Sequence, residues 1–312
     1  MLTVVLIIAE QRSPKFTILP SEYKPGFMQF LDGTTYLVSE KIVRIDNAIP
    51  LTYWTVTPNF GDLLSPYLVE KISGSPVKSV PISPGHKWKF SLKRSPFSYL
   101  AIGSIISRAN AKSVVWGSGA FGTETKSSLN KKAEYRAVRG PLTRNLLRIH
   151  GINCPEVYGD PALLLPLVIN PPVKKQYKVG VIIRWAETSW NSTDTDSDVK
   201  KIYLGTNDIE STIADILSCE RIISSSLHGI ILADAYRIPS AWLSSMTPKG
   251  LEFKFYDYFL SVAKFQRPQH FDFSVTTLKW DDISRRIKFN EQIIDFDAQK
   301  LLETCPFVDL EN

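Results

Sequence analysis

Three cysteines in 312 residues are too few, and Cys154, Cys219 and Cys305 too widely spaced, for a disulfide framework or a zinc site; a reducing cytoplasm is the expected setting. Histidine is as sparse. His86, His150, His228 and His270 stand alone, without a carboxylate or cysteine at ligand spacing, so no metal is expected. No run reaches the ~20 apolar residues of a membrane-spanning helix. Met1 to Ala9 is apolar but short, lacks a basic stretch before it and is followed by Glu10 and Arg12; it reads as a first strand, not a signal peptide. The chain has no Gly-x-Gly-x-x-Gly turn, no P-loop and no Gly-x-Ser-x-Gly elbow, which counts against a dinucleotide enzyme, an NTPase and an α/β-hydrolase. It also has no internal repeat and no basic stripe of the kind that binds nucleic acid. What it does have is a small surplus of positive charge, +6, which favours acidic ligands or an anionic surface. The densest basic stretch, Lys87-Trp88-Lys89-Phe90-Ser91-Leu92-Lys93-Arg94, has two readings: a peripheral membrane contact on phospholipid headgroups, or a half-buried strand with a solvated basic face.

The chain exceeds the usual size of a single core, and its apolar runs alternate with amphipathic stretches across short turns, the mark of a doubly wound parallel α/β sheet. Thr35 to Val38 is a short alternating run. Leu51 to Val56 is predicted as a strand, followed by a Thr57–Gly61 turn. The next helix carries Leu63, Leu64, Tyr67, Leu68 and Ile72 on one face, with Asp62 as N-cap, Pro66 in the first turn and Gly74 closing it. Tyr99–Ile102, Ser113–Trp116 and Glu134–Val138 are further strands. Pro141 opens a helix that ends at Gly151, and Glu156–Tyr158 is a short strand. Pro166, Pro171 and Pro172 mark a boundary, after which a second set begins. It has strands at Tyr177–Trp185, Arg221–Ser225 and Ala241–Leu243, and helices at Asp208–Leu217 and Leu227–Tyr236. Residues 187–197 are polar and aperiodic and read as an exposed loop, and a last helix is predicted near Gln292–Leu302. The expected architecture is two Rossmann-like domains facing a cleft, as in GT-B enzymes. An N-terminal domain (1–168), a C-terminal domain (176–262) and an extension (263–312) that packs back on them are expected.

Four glycine-punctuated motifs stand at strand exits, where open α/β sheets bind ligands: Asn59-Phe60-Gly61-Asp62, Arg139-Gly140-Pro141, Gly159-Asp160-Pro161-Ala162 and Ser226-Leu227-His228-Gly229. Asp62 reads as a helix cap, a ligand contact alongside Asn59, or both. Arg139 beside a helix N-terminus either meets a carboxylate or phosphate or pairs with Glu134 or Asp160. Asp160 before a proline reads as a turn lock. His228 is either a satisfied core residue or an anion contact; a helix N-terminus lowers its pKa and a bound dianion raises it. Gly229 permits close approach of a ligand or backbone, and Ser224, Ser225 and Ser226 supply hydroxyls and amides. Lys254 and Asp257 lie in an aromatic stretch that reads as a solvated charged face over an aromatic core.

Together with Trp116-Gly117-Ser118-Gly119 and the Lys254/Asp257 stretch, these motifs resemble the polysaccharide pyruvyl transferase family across residues 51–260. The resemblance implies a GT-B-like fold, with the 1–168 domain as the acceptor side and the 176–262 domain as the donor side, and a reaction that moves the enolpyruvyl unit of phosphoenolpyruvate onto a sugar hydroxyl. A second hydroxyl then closes a cyclic pyruvate ketal and phosphate is released. The implied acceptor is a lipid-linked oligosaccharide of an exopolysaccharide or a cell-surface glycan, met in the cytoplasm at the inner face of the membrane. Phosphoenolpyruvate is a co-substrate and no cofactor is implied. The implied roles are Asn59 and Asp62 for acceptor binding and base, and Arg139 for the donor carboxylate. His228, with Ser224, Ser225, Ser226, Leu227 and Gly229, would hold the donor phosphate and deliver a proton. Many family members carry an arginine before the Leu-His pair; here Ser226 stands there, so Arg184, Arg136 or Lys254 is expected to replace it. Replacing Arg139 or His228 with alanine is expected to abolish transfer and leave the fold intact. Two rivals remain on the same scaffold: a nucleotide-sugar glycosyltransferase, with Asp234 its only ribose candidate, and a non-catalytic carbohydrate-binding protein.

Overall fold

The computed structural model describes residues 27–29, 35–37, 48–80, 96–184, 187, 193–244, 252–271 and 277–307. The Met1–Ala9 run, the 87–94 stretch and Trp185 lie outside the described residues. A short antiparallel pair, β1 (Phe27–Gln29) and β2 (Thr35–Leu37), comes first. The first parallel sheet then takes β3 (Ile49–Leu51), β4 (Val77–Ser79), β5 (Ser98–Leu100), β6 (Ser113–Trp116) and β7 (Glu134–Ala137), in the order β4-β3-β5-β6-β7. Helix α1 (Phe60–Ser73) connects β3 to β4, and α2 (Pro141–Ile149) follows β7. A 3₁₀ helix over Pro161–Leu167 leads to the second half.

The second sheet is built from β8 (Val179–Ile183), β10 (Val199–Tyr203), β11 (Ile222–Ser224) and β12 (Ser240–Trp242), in the order β10-β8-β11-β12, all parallel. Strand β9 (Asp194–Thr195) pairs with β13 (Thr277–Leu278). Helices α3 (Ile209–Leu217), α4 (Leu227–Ala235), α5 (Glu252–Ser261), α6 (Trp280–Arg286) and α7 (Ala298–Glu303) complete the chain. In both sheets the second strand lies on one side of the first and the third on the other. The order reverses between β3 and β5 and again between β8 and β11, and a parallel sheet opens a ligand crevice at such reversals.

Burial on both faces explains the near-continuous apolar strands. Along β8, Val179, Val181 and Ile183 face an apolar cluster with Ile283 of α6, while Ile182 faces the main core. That core also holds Leu64 and Leu68 of α1, Ile213 of α3 and Ile230 of α4, so both sheets contribute to one continuous apolar mass. The last segment returns to the first sheet, where the Trp116 indole donates to the Leu301 carbonyl at 2.9 Å and Phe307 meets the Trp116 ring edge-on.

The local signals at α2, α3 and α4 give the expected helices. Pro141 is at the start of α2, Asp208 caps α3 through the Ser211 amide (3.0 Å), and Gly74 ends α1 with φ of 67°. Five expectations change. Glu156–Tyr158 forms no strand, only a single parallel bridge between Tyr158 and Val138. Strand β3 stops at Leu51, and Thr52 to Val56 form the loop beyond it, with Val56 66% exposed. Helix α1 begins at Phe60, so the cap position belongs to Asn59, not Asp62, and Pro66 lies inside the helix, where it withholds a donor from the Asp62 carbonyl. The 187–197 stretch is not simply exposed: Glu187 and Thr193 are buried and β9 pairs there. The final helix is confined to α7, capped by Asp297, and α6 precedes it unforeseen.

Candidate active site

The two strand-order reversals meet. The Phe60 amide at the start of α1 donates to the Leu204 carbonyl just after β10, at 2.9 Å. One residue on, a Cβ built on Gly61 would stand 2.0 Å from His228 Nδ1. Only a glycine lets the N-terminus of α1 touch the imidazole carried by the first turn of α4. His228 Nε2 is buried and without a hydrogen-bond partner among the described residues.

Asp62 lies in the first turn of α1, half-buried, where Asn59 Nδ2 donates to its Oδ2 at 2.5 Å. Its Oδ1 faces Gly103 at the exit of β5, 3.5 Å from where a Cβ would be, so the carboxylate sits over the first reversal. Burial pushes the Asp62 carboxyl up to about 6, against the pull of the Asn59 hydrogen bond and the Lys254 charge. Burial, with the charges of Lys254 and Arg139, drives the His228 imidazole down to about 3. Lys254, in the first turn of α5, is pulled down to about 7 by burial and by Arg184 and Arg139; Asp62 and Glu187 hold it up. The ammonium group on α5 thus acts on both the carboxylate of α1 and the imidazole of α4. At pH 7 they stand as an ionised acid, a neutral imidazole and an amine poised between its two forms.

The serines before α4 are used locally. Ser224 Oγ donates to the Ser226 carbonyl at 2.9 Å and accepts from the Ser226 amide at 3.0 Å. Ser225 Oγ donates to Glu187 at 2.6 Å. Gly229 is required by Ser224, whose Oγ would lie 2.2 Å from a Cβ there. Ser226 holds the N-cap position without capping through its side chain, and Leu227 is buried. The amides of Leu227, His228 and Gly229 precede the first intrahelical bond, from Ile230 to Ser226 (3.3 Å), and so point out of the helix toward any anion at its end.

Arg139 has a different surrounding from either expected ion pair. It is fully buried and its partner is Asp257, also fully buried, at 3.0 Å. Its Nη1 donates to Ser104 and its Nη2 to the Ala120 carbonyl, both at 2.7 Å. Asp257 also accepts from the Thr143 amide (2.8 Å) and hydroxyl (2.7 Å) at the start of α2. The 254–257 stretch is therefore no solvated face: it clamps α5 onto α2, with Gly140 so close that a Cβ would lie 1.9 Å from the Asp257 carbonyl. Nor does alanine at 139 leave the fold undisturbed, since it strands a buried carboxylate. Asp160 locks its turn as expected, through the Ala162 amide at 3.1 Å. Of the replacement cations, Arg136 is engaged with Glu134 on β7 at 2.6 Å, whereas Arg184 and Lys254 converge. Glu187 was missed, because a lone acid in an aperiodic polar stretch carries no local signal. Asp234 is committed to Lys264 (2.6 Å) and Tyr258 (2.8 Å) and offers nothing to a ribose.

Two Rossmann-like parallel sheets, in contact where the start of α1 meets the end of β10 and the first turn of α4, define an α/β class of protein whose candidate site lies at strand-order reversals. Within that class the chain belongs to the polysaccharide pyruvyl transferase family, whose model matches residues 59–245, from the cap of α1 to just beyond β12. Over 261 residues it is 28% identical to the uncharacterized protein L143 of Acanthamoeba polyphaga mimivirus, covering 80% of this chain and 86% of that one. Over 180 residues it is 29% identical to the succinoglycan biosynthesis protein ExoV of Rhizobium meliloti (strain 1021). That alignment spans 54% of this chain and 55% of ExoV. No solved structure matches the chain.

Proposed function

We propose that this protein transfers the enolpyruvyl group of phosphoenolpyruvate to a hexose hydroxyl of an exopolysaccharide or cell-surface glycan and closes it to a cyclic ketal, releasing phosphate. The observation that carries the reading is the meeting of Asp62, His228 and Lys254 at the two facing strand-order reversals. Family membership supports pyruvyl transfer, and the part of ExoV in succinoglycan biosynthesis supports a polysaccharide acceptor. The two halves are read as the GT-B-like pair of lobes, acceptor on the first and donor on the second.

Phosphoenolpyruvate has two anionic ends. Lys254, Arg184 and the first-turn amides of α4 meet them, while the enclosed Arg139 adds its field and holds α5 in place. A bound dianion raises the proton affinity of His228 and Lys254 by charge, so the site takes up a proton as the donor enters. His228 then protonates the methylene carbon, which makes C2 electrophilic. The acceptor hydroxyl adds to C2 while Asp62 takes its proton. The C2–O bond to phosphate breaks with its electron pair leaving on phosphate; the second hydroxyl closes the ring and its proton goes to phosphate. Asp62 returns the first proton to the imidazole, so one hydroxyl proton ends on the methyl group and the other on phosphate. The site is taken to work in the cytoplasm on an acceptor at the membrane's inner face; no helix among the described residues is long and apolar enough to cross a membrane.

Incubation with phosphoenolpyruvate and a panel of hexose-bearing glycans, read by phosphate release and mass spectrometry, tests this reading. Transfer requiring both substrates, and lost in His228→Ala, is expected. Phosphoenolpyruvate is expected to raise the melting temperature, while nucleotide diphosphates leave it unmoved. No phosphate release with any acceptor overturns the proposal in favour of a binding protein.

A further inference from the structure

The exit of β8 and the turn before α4 are tied together by a closed ring of three hydrogen bonds. The Arg184 amide, one residue past β8, donates to Ser225 Oγ at 3.4 Å. Ser225 Oγ donates in turn to Glu187 Oε2 at 2.6 Å. The Glu187 amide closes the ring on the Arg184 carbonyl at 2.9 Å. Ser225 and Glu187 are both buried, and they stand at the β8–β11 reversal, where Ser225 comes one residue before the N-cap of α4 and three before His228. Ser225 caps nothing: Ser226 holds the N-cap position, and the Ser225 hydroxyl bonds within the ring alone. Burying a carboxylate is costly unless hydrogen bonds and opposite charge answer it. The ring gives Glu187 the first and Lys254 gives it the second.

We infer that Ser225 and Glu187 are positioning residues, whose hydrogen-bond ring fixes the Arg184 backbone against the α4 turn so that arginine and α4 amides serve one anion. Neither residue touches that anion. Arg184 follows the last residue of β8, where the ladder no longer holds the chain, and its guanidinium and the Lys254 ammonium repel one another. Charge alone would drive the two cations apart in the empty site. A backbone pinned at both its amide and its carbonyl leaves less to be ordered when the anion arrives. That the anion is phosphoenolpyruvate rests on the proposed function; the positioning does not.

Calorimetric titration of the full chain with inorganic phosphate and with phosphoenolpyruvate, at pH 6 where Lys254 is charged, tests the inference. Ser225→Ala opens the ring and keeps every charge, and it is expected to weaken binding of both anions about tenfold. Arg184→Ala is expected to weaken it at least as much. In the Arg184→Ala background Ser225→Ala is expected to cost less than about twofold more, because the group it acts through is already gone. Glu187→Gln leaves an acceptor for Ser225 Oγ and is expected to bind phosphate at least as tightly as the wild type. Ser225→Cys, close to serine in volume, serves the same comparison where the alanine variant fails to fold. Three results overturn the inference even where transfer is observed: a Ser225 variant that melts lower but binds phosphate like the wild type, Ser225 and Arg184 losses that simply multiply, or a Glu187→Gln variant as weak as Ser225→Ala. Coupled losses in a protein that releases no phosphate from phosphoenolpyruvate instead overturn the proposed function and leave the positioning standing. A wild type that binds neither anion overturns both.

Discussion

Arg139→Met removes one member of an ion pair whose two side chains are both 0% exposed. The methionine restores most of the volume, so the cost is electrostatic. Asp257 keeps the Thr143 amide and hydroxyl but loses both guanidinium contacts in a site water does not reach. Breaking a buried pair from one side costs about 3–5 kcal/mol, because the remaining charge stays desolvated. At roughly 2 °C per kcal/mol for a chain of this length, the melting temperature is expected to fall by about 6–10 °C. The double variant Arg139→Met/Asp257→Asn leaves no uncompensated charge and is expected to be more stable than the sum of the two single losses, by about 2 kcal/mol. Thermal and urea denaturation of the four proteins measure this cycle. An Arg139→Met variant melting within 2 °C of wild type, or strictly additive single effects, refutes the reasoning and would return Arg139 to the role of an exposed anion contact. The expected loss also means that inactivity of an Arg139 variant is no sign of contact with a donor carboxylate unless the fold has been checked beside it.

Because Asp62 must be ionised while His228, neutral in the free site, takes up a proton as the donor enters, kcat/KM for phosphoenolpyruvate is expected to be level below about pH 6, to fall above it, and to fall more steeply beyond about 7, where Lys254 also loses its charge. Asn59→Ala removes a hydrogen bond that favours the ionised Asp62, so the break near pH 6 is expected to move to higher pH; a break that stays put or moves down counts against Asp62 as the base. Gly61→Ala drives a methyl group into His228 Nδ1, and displacing the imidazole by an ångström is expected to cost about a hundredfold in kcat. Wild-type turnover in that variant would show that the contact between α1 and α4 plays no part in the chemistry.

The parts of the fold readable in the sequence were those written in local grammar. Pro141, Gly74 and Asp208 each mark a helix end through a backbone requirement that only a few residue types meet, and the ends lie where those residues are. The Tyr53–Val56 stretch misled because β-branched and aromatic residues signal a surface that is pleated and half-buried, whereas here Tyr53 and Trp54 are half-buried in a loop and Thr55 and Val56 are exposed. Helix α6 gave no such signal. Its seven residues include Asp281, Asp282, Arg285 and Arg286, and only Trp280 and Ile283 pack it on the second sheet.

The site divides along the same line. Asp62 and His228 were legible because each follows a strand and a glycine or serine turn, and a parallel sheet turns such positions into ligand contacts whatever the rest of the chain does. Arg139 looked identical by that test, yet its partner Asp257 is 118 residues away, and no local spacing distinguishes a guanidinium reaching into a crevice from one sealed beneath it. The difference is settled by α5. Packing of Phe255 on Trp242, stacked at 4.4 Å, sets that helix against the second half, and the Asp257 bonds to Arg139 and Thr143 tie it to the first. The same ten-residue helix delivers Lys254 to Asp62 and His228. Arg139 therefore acts on the chemistry by fixing the element that carries the ammonium group, and the two halves present their strand ends to one another in the order their shared topology dictates.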